Sequence, residues 1–221
     1  MLHEGAFAAD AAYQVDTADV ATPGSAKVET WVSFSENDDI IAAVNPAYVA
    51  DVSRPVQVNV QLARLRSDGE YASTATPRLK TNLLPTGIGM IGLAVAGGVT
   101  YDFQADNVVS GTIYLPATYR LSHRTRINVN LGWLRDRVSS ADHATYGLGI
   151  DVRTNDNVWT LTGELFGQAV KPAAPGENQP RYQLGVRWRP VDPYSVDLVY
   201  GHNLIGEGRN WLTLAAVVRF R

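Results

Sequence analysis

One stretch of the chain decides the fold, and it reads Arg181-Tyr182-Gln183-Leu184-Gly185-Val186-Arg187-Trp188-Arg189. Every second position in this stretch is apolar, and the positions between them carry polar side chains or glycine. Successive side chains of a β-strand point to opposite faces. The alternation therefore predicts a strand with one apolar face and one polar face.

The same period of two recurs along most of the chain. It predicts strands near residues 26–35, 40–50, 55–66, 76–84, 90–103, 108–121, 125–135, 144–153, 158–169, 181–190, 195–202 and 211–220. Strands of about ten residues suit a tilted strand that crosses a membrane. We therefore predict an all-β protein, a transmembrane antiparallel up-and-down β-barrel of about 12 strands over residues 26–221.

The connections between these strands alternate in character. The short, turn-like ones are Asp51–Arg54, Ser122–Arg124, Thr154–Asn157 and Val191–Pro193. The longer ones, rich in Gly, Pro, Asp and Ser, are Ser67–Ala75, Asp136–His143, Val170–Pro180 and Asn203–Asn210. Outer-membrane barrels have tight turns at the periplasmic rim and longer loops outside, so this asymmetry favours a membrane barrel.

Aromatic side chains of the apolar phase give a second indication, because they fall near the strand ends. Near the predicted outer ends lie Phe34, Tyr101, Phe103, Trp133, Tyr146, Tyr182 and Tyr200, and near the inner ends lie Tyr48, Tyr119, Trp159, Trp188 and Phe220. Two such bands are typical of the aromatic girdles at membrane interfaces. The alternative is a soluble β-sandwich or lipocalin-like barrel, whose strands also alternate; phase alone does not say which face is inside.

The uncharged run from Leu83 to Tyr101 is long enough for a membrane-spanning helix. It contains Pro85 and five glycines, which disfavour a helix interior. Its second half also alternates, so we predict a turn followed by a strand. The Gly87–Gly92 stretch matches G-x-G-x-x-G, but no βαβ unit surrounds it, and dinucleotide binding is not expected.

Composition excludes several classes of function. The 221 residues carry 19 basic and 22 acidic side chains, a formal net charge of −3, and no cysteine. This balance argues against a nucleic-acid partner, and the missing cysteine removes disulfides and thiolate metal sites. The histidines lack metal-ligand spacing, so we expect no metal and no cofactor.

The polar phase supplies the candidate functional residues. If the barrel lies in a membrane, the side chains that line its lumen are Arg126, Arg153, Arg181, Arg187, Arg189, Arg219, Glu29, Asp102, Asp151, Glu164 and Asp197. Charges inside a barrel must be hydrated or paired. Two interpretations stay open: a narrow polar channel with an arginine-biased wall, or a closed interior held by salt bridges.

Several short motifs resemble a known family. They are Arg78-Leu79-Lys80, Asn130-Leu131-Gly132-Trp133, Tyr146-Gly147-Leu148-Gly149, Gly163-Glu164-Leu165-Phe166-Gly167, Gln183-Leu184-Gly185-Val186-Arg187 and Trp211-Leu212-Thr213-Leu214. Together they resemble the phenol-degradation meta-pathway type of outer-membrane channel. The resemblance implies a β-barrel that passes small molecules, often aromatic hydrocarbons.

The function expected is therefore passive passage of small solutes, anionic or aromatic, through the bacterial outer membrane, with the lipid bilayer as partner. The runner-up is a structural barrel that anchors a partner protein, and an outer-membrane hydrolase using Asp142-His143 or His202 at the rim comes third. Residues 1–25 lack a clean period and are expected to be a periplasmic tail or tether, through which a periplasmic partner is an open option. A signal peptide is expected to have been removed before this numbering begins.

Overall fold

Twelve strands make up the architecture of the protein. The computed structural model describes residues 12–36, 38–67, 69–170, 180–205 and 210–220. The strands are β1 (Ala26–Ser35), β2 (Ile40–Asp51), β3 (Pro55–Ser67), β4 (Glu70–Leu84), β5 (Ile91–Asp102), β6 (Asn107–Arg120), β7 (Thr125–Asp136), β8 (Ala141–Arg153), β9 (Trp159–Val170), β10 (Arg181–Val191), β11 (Tyr194–Asn203) and β12 (Asn210–Phe220). Among the described residues, no helix is long and apolar enough to cross a membrane.

The sheet closes on itself. Each strand pairs with the next along the chain, and β1 pairs with β12 in antiparallel register from Ala26 opposite Phe220 to Ser35 opposite Trp211. Closure leaves no unpaired sheet edge, which is a requirement for a sheet in lipid. The predicted all-β, up-and-down barrel of twelve strands is confirmed. We call the rim with Ala26 and Phe220 the terminal rim and the other end the opposite rim.

The two faces of the barrel have opposite chemistry. On β10 the Leu184 side chain is 59% exposed on the outer face, whereas its neighbour Gln183 is 1% exposed inside. The same alternation puts Leu161 and Leu214 outside and Thr162 and Thr213 inside. A soluble barrel has its apolar face inside, so the soluble alternative is wrong, and the barrel has the pattern of a transmembrane one.

The predicted connections hold in part. The turns at Asp51–Arg54, Ser122–Arg124 and Val191–Pro193 separate strands as expected, and the Leu83–Tyr101 run forms the end of β4, a turn and β5. The longer loops predicted at Ser67–Ala75 and Asp136–His143 are wrong, because the strand pairing continues from Ser67 opposite Glu70 and from Asp136 opposite Ala141. Parts of Val170–Pro180 and Asn203–Asn210 lie outside the described residues.

The described part of the predicted N-terminal tail lies inside the barrel. Residues 12–25, which we call the N-terminal segment, enter the barrel, and Ala12, Tyr13, Val15, Asp16 and Ala18 are all buried there. The interpretation of residues 1–25 as a periplasmic tail therefore does not fit residues 12–20. The physical reason is that the segment's backbone amides and carboxylates find partners on the polar inner wall.

Candidate functional site

The inner wall holds the backbone of the N-terminal segment. The Glu164 carboxylate of β9 accepts hydrogen bonds from the backbone N–H of Gln14 at 2.8 Å and of Val15 at 3.2 Å. Thr118 accepts the N–H of Ala18 at 2.8 Å, and Asn130 donates to a backbone carbonyl of the segment. A buried backbone must satisfy its polar groups, so these side chains make the lumen a place where an extended peptide can stay.

Three glycines leave the room that the segment needs. A Cβ at Gly185 would lie 2.5 Å from the Tyr13 ring, and a Cβ at Gly147 would lie 2.9 Å from a Val15 methyl group. Gly149 is similarly close, because its Cβ would come within 3.3 Å of Val15 Cβ. These glycines belong to the Tyr146–Gly149 and Gln183–Arg187 motifs of β8 and β10. Their missing side chains form the groove in which the segment lies.

The first carboxylate of the segment is held deep in the lumen. Asp16 Oδ1 lies 2.7 Å from Lys80 Nζ, and Tyr114 donates its hydroxyl to Asp16 Oδ2 at 3.0 Å. Both charged side chains are almost fully buried, at 6% and 5% exposure. A buried charge is costly unless it is paired, so the position of Asp16 is tightly specified.

The second carboxylate lies nearer the terminal rim. Asp19 Oδ2 lies 2.6 Å from Arg120 Nη2 and 3.1 Å from Arg126 Nη1, and Thr86 donates to Asp19 Oδ1 at 2.5 Å. Gly92 makes this arrangement feasible, because a Cβ there would lie 2.1 Å from the Thr86 methyl group. Asp19 therefore connects β6 and β7 to the turn before β5.

Tyr13 completes the contacts at the inner end of the segment. Its hydroxyl donates to Asp197 Oδ1 at 3.2 Å, and the Arg187 guanidinium lies 5.3 Å from the ring centroid. Arg187 in turn makes two hydrogen bonds to Asp197, at 2.7 and 3.2 Å. The side chains around Tyr13 thus form a closed set of paired charges and apolar contacts, with Val199 and Ala215 packed beside it.

A cavity of about 1000 Å³ lies between this level and the terminal rim. Its cationic lining consists of seven arginines and a lysine: Arg120, Arg124, Arg126, Arg153, Arg187, Arg189, Arg219 and Lys27. The acidic lining consists of Asp16, Asp19, Asp151 and Glu164, fewer than the cations. Low-dielectric walls focus the field of this cationic excess into the cavity.

The predicted lumen residues fall into three groups. Those that line the cavity are Arg126, Arg153, Arg187, Arg189, Arg219, Asp151 and Glu164. Glu29 and Asp197 are buried on the inner wall, where Glu29 pairs with Lys27 at 2.9 Å. Arg181 and Asp102 lie at the opposite rim, and Asp102 accepts backbone hydrogen bonds of the following turn. The part that these residues play in passage stays a prediction.

The sequence prediction misses several residues of the site. Lys80 and Arg78 share the inward phase of β4 and are buried, a signal that the alternation already contained. Tyr13, Asp16 and Asp19 have no such signal, since the N-terminal segment has no period. Only charge complementarity between its aspartates and the arginine-rich wall points to their place.

The predicted girdle residues lie on the outer face. Ten of the twelve are among the exposed large side chains, and Tyr101 and Tyr182 are half-buried by neighbours, Phe103 at 5.3 Å and His202 at 5.8 Å between ring centroids. Trp159 and Trp188, opposite each other on β9 and β10, stack at 6.0 Å near the terminal rim. Their contact with membrane interfaces stays a prediction.

The residues considered for a hydrolase are not brought together. Asp142 pairs with Arg135 at 2.9 Å on the exposed side of β8, whereas His143 is buried on the inner side. Adjacent residues of a strand point to opposite faces, so this sequence neighbourhood does not form an acid–base pair. His202 contacts Asn210 at 2.7 Å instead.

The contacts of Asp19 predict its titration. Burial alone would raise the pKa of Asp19, but the hydrogen bond from Thr86 and the Arg120 charge outweigh it and hold the pKa below the ordinary value of 3.8. The contacts of the ionised Asp19 with Thr86 and Arg120 thus contribute fully to the stability of the fold above pH 3.8. This contribution is lost as the pH falls through the lowered pKa of Asp19. We expect the carboxyl carbon shift of Asp19 in nuclear magnetic resonance to titrate below 3.8, and to titrate at higher pH in Arg120→Gln. A midpoint at or above 3.8 in the parent would contradict this reading of the contacts.

The closed sheet, its apolar outer face and its polar inner face define a twelve-stranded transmembrane β-barrel of the outer-membrane type. The chain belongs to the family described as "Uncharacterised conserved protein UCP029691", whose model matches residues 1–220. The resemblance to the phenol-degradation meta-pathway type of channel is not confirmed. Comparison with curated proteins gives no match to the chain.

Solved structures of outer-membrane proteins share the fold at low sequence identity. The structure of the KdgM porin superposes with a TM-score of 0.65 at 6% identity, covering 88% of this chain and 99% of the other. The COG4313 outer membrane channel from Pseudomonas putida F1 gives 0.63 at 14% identity, covering 92% and 98%. A structure of the NanC porin gives 0.66 at 4% identity, covering 86% and 98%. At these identities the similarity establishes the fold.

Proposed function

We propose that the protein is a narrow channel of the bacterial outer membrane for passive passage of small anionic solutes. The observation that carries this proposal is the cavity at the terminal rim, whose eight cationic side chains outnumber its four acidic ones even when Glu29, the partner of Lys27, and Asp197, the partner of Arg187, are added. In an outer-membrane barrel with an even number of strands both termini lie in the periplasm, so this cavity is the periplasmic mouth. A cationic mouth raises the local concentration of anions and disfavours cations.

Arg153 and Arg189 are the arginines best placed to act on a solute. Both line the cavity, and within the described part of the chain the Nε atom of Arg189 has no hydrogen-bond partner. Arg187 is less suited, because Asp197 binds its guanidinium through two atoms. Neutralised charges contribute little to the field in the mouth.

The N-terminal segment lies on the path of any solute. The cavity ends at Tyr13, Val15 and Glu164, so passage requires the segment to shift within the lumen. The many polar contacts of the segment favour a second candidate, the structural barrel that does not transport and that anchors a partner protein. Conductance separates the two functions.

The test is the reversal potential across a planar bilayer under a salt gradient. The parent protein is expected to conduct with a preference for anions, and Arg153→Gln/Arg189→Gln to shift the reversal potential towards cations, because two charges leave the mouth. The matched control is Arg64→Gln/Arg135→Gln, which removes two arginines of the outer face near the opposite rim.

The outcomes discriminate between the candidates. No conductance from the parent at any voltage would overturn the channel and leave the structural barrel. Conductance with the same reversal potential in both double variants and the parent would show that Arg153 and Arg189 do not act on the ion path.

A further inference from the structure

We infer that Asp16 and Asp19 occupy two carboxylate subsites of the lumen, in which the channel binds a linear solute carrying two carboxylates. The N-terminal segment is then a tethered ligand that competes with the solute. This inference rests on the proposed channel function and adds to it the class of solute and the way in which the segment controls passage.

The inner subsite consists of Lys80 and Tyr114. A lysine with 5% of its side chain exposed needs an anionic partner, and here Asp16 supplies it at 2.7 Å while the Tyr114 hydroxyl donates at 3.0 Å. The barrel wall brings the two donors from β4 and β6, so the site does not depend on the segment for its shape. Any carboxylate of similar size fits the same donors.

The outer subsite consists of Thr86, Arg120 and Arg126. Three donors from separate elements converge on one Asp19 carboxylate at 2.5–3.1 Å. Arg126 Nε also contacts Asp151 at 2.6 Å, which fixes its guanidinium. Charge-assisted hydrogen bonds of this type are among the strongest in proteins, so the site binds a free carboxylate as well as a tethered one.

The spacing of the two subsites defines the solute. Two residues, Thr17 and Ala18, lie between Asp16 and Asp19, so the two Cα atoms are three residue steps apart and at most about 10–11 Å from each other. A flexible linear dicarboxylate whose carboxylates lie within this limit is therefore the class of solute that can reach both subsites. The outer subsite lies in the cavity, and the inner one follows it into the lumen, so the two lie in sequence along the path.

Tethering explains how the segment controls binding. A group held by a short linker acts at an effective concentration in the millimolar range, so Asp16 and Asp19 outcompete a dilute solute. Removing their charges while keeping their shape leaves Lys80, Arg120 and Arg126 available to a free anion. The segment's remaining backbone contacts do not select for charge.

The experiment measures binding of suberate, a linear dicarboxylate, to the full chain in detergent by calorimetry. Suberate is expected to bind Asp16→Asn/Asp19→Asn at least about tenfold more tightly than the parent, which corresponds to about 1.4 kcal/mol. The affinities for hexanoate, which has one carboxylate, and for the neutral suberamide are expected to differ little between the double variant and the parent. Adding Arg120→Gln to the double variant is expected to remove most of the gain.

The matched control is Asp51→Asn/Asp156→Asn, which removes the same charge from exposed positions at the terminal rim. It is expected to bind suberate as the parent does. If the double variant does not fold, as judged by its migration on gels before and after boiling, Asp19→Asn alone tests the outer subsite, where a smaller increase in suberate affinity over the parent is expected.

Three results overturn the inference. They are an unchanged suberate affinity in the double variant, an equal increase in its affinity for hexanoate, and an equal increase in suberate affinity in Asp51→Asn/Asp156→Asn. Failure of the channel itself is seen separately, as absence of conductance in the bilayer. Anion-selective conductance without a gain in suberate binding removes the two subsites and leaves the channel.

Discussion

Arginine in place of Leu184 is expected to lower the free energy of unfolding by about 2–4 kcal/mol. Leu184 lies on the outer face of β10, between Tyr182 and Trp188, and therefore near the middle of the apolar band. An arginine there must keep its charge in the hydrocarbon or deform the bilayer around it. The measurement is equilibrium unfolding in lipid bilayers, with Leu214→Arg as an independent second position.

The control is Thr160→Arg, on the inner face of the neighbouring strand β9. Thr160 lines the cavity at the terminal rim, where a new arginine reaches water. Thr162, Gln183 and Thr213 are less useful controls, since they are buried and Gln183 bonds the segment and Glu164. If Thr160→Arg lowered the free energy of unfolding as much as Leu184→Arg does, or more, the assignment of the inner and outer faces would be wrong.

A disulfide between position 15 of the N-terminal segment and position 149 of β8 is expected to abolish conductance. A Cβ at Gly149 would lie 3.3 Å from Val15 Cβ, close to the separation found in disulfides. The chain has no cysteine, so Val15→Cys/Gly149→Cys introduces the two thiols without competing ones. Oxidation then holds the segment in the path, and a reductant is expected to restore conductance in the same bilayer.

The control for the disulfide is Ser33→Cys/Thr213→Cys. These positions face each other on β1 and β12, so their disulfide joins two wall strands without involving the segment. Oxidised protein of this control is expected to conduct like the parent. Undiminished conductance from the oxidised 15–149 disulfide would mean that the segment does not obstruct the path.

The fold was accessible from the sequence because its signal is local. In a strand such as β10, nine residues are enough to show the alternation and to divide the side chains between two faces. Short connections then predict that each strand pairs with the next one along the chain. The prediction of longer loops was wrong because it rested on composition alone. Ser67–Ala75 has a loop-like composition, yet Tyr71 pairs with Arg66 across the sheet, and its ring centroid lies 4.8 Å from the Arg64 guanidinium. Cross-strand contacts of this kind extend a hairpin beyond what composition indicates.

The site was accessible only in part. The inward arginines follow from strand phase, as Arg126 and Arg189 show. The N-terminal segment does not, because its contacts join residues far apart in the chain: Tyr13 and Asp197 are separated by 184 positions, and Asp16 and Lys80 by 64. No local period encodes such a contact. Gly147, Gly149 and Gly185 leave the room in which the N-terminal segment lies. The sequence alone does not reveal this, because a glycine in a strand has several explanations.

The position of the N-terminal segment has a consequence for how the chain folds. Eleven of the twelve strand pairs join consecutive strands and form as hairpins, whereas the pairing of β1 with β12 and the docking of the segment both need the end of the chain. Contacts between distant parts of a chain form slowly, because the entropy of loop closure must be lost first. The segment that precedes β1 is thus among the last parts of the barrel to reach its native neighbours, because those neighbours lie on strands far along the chain.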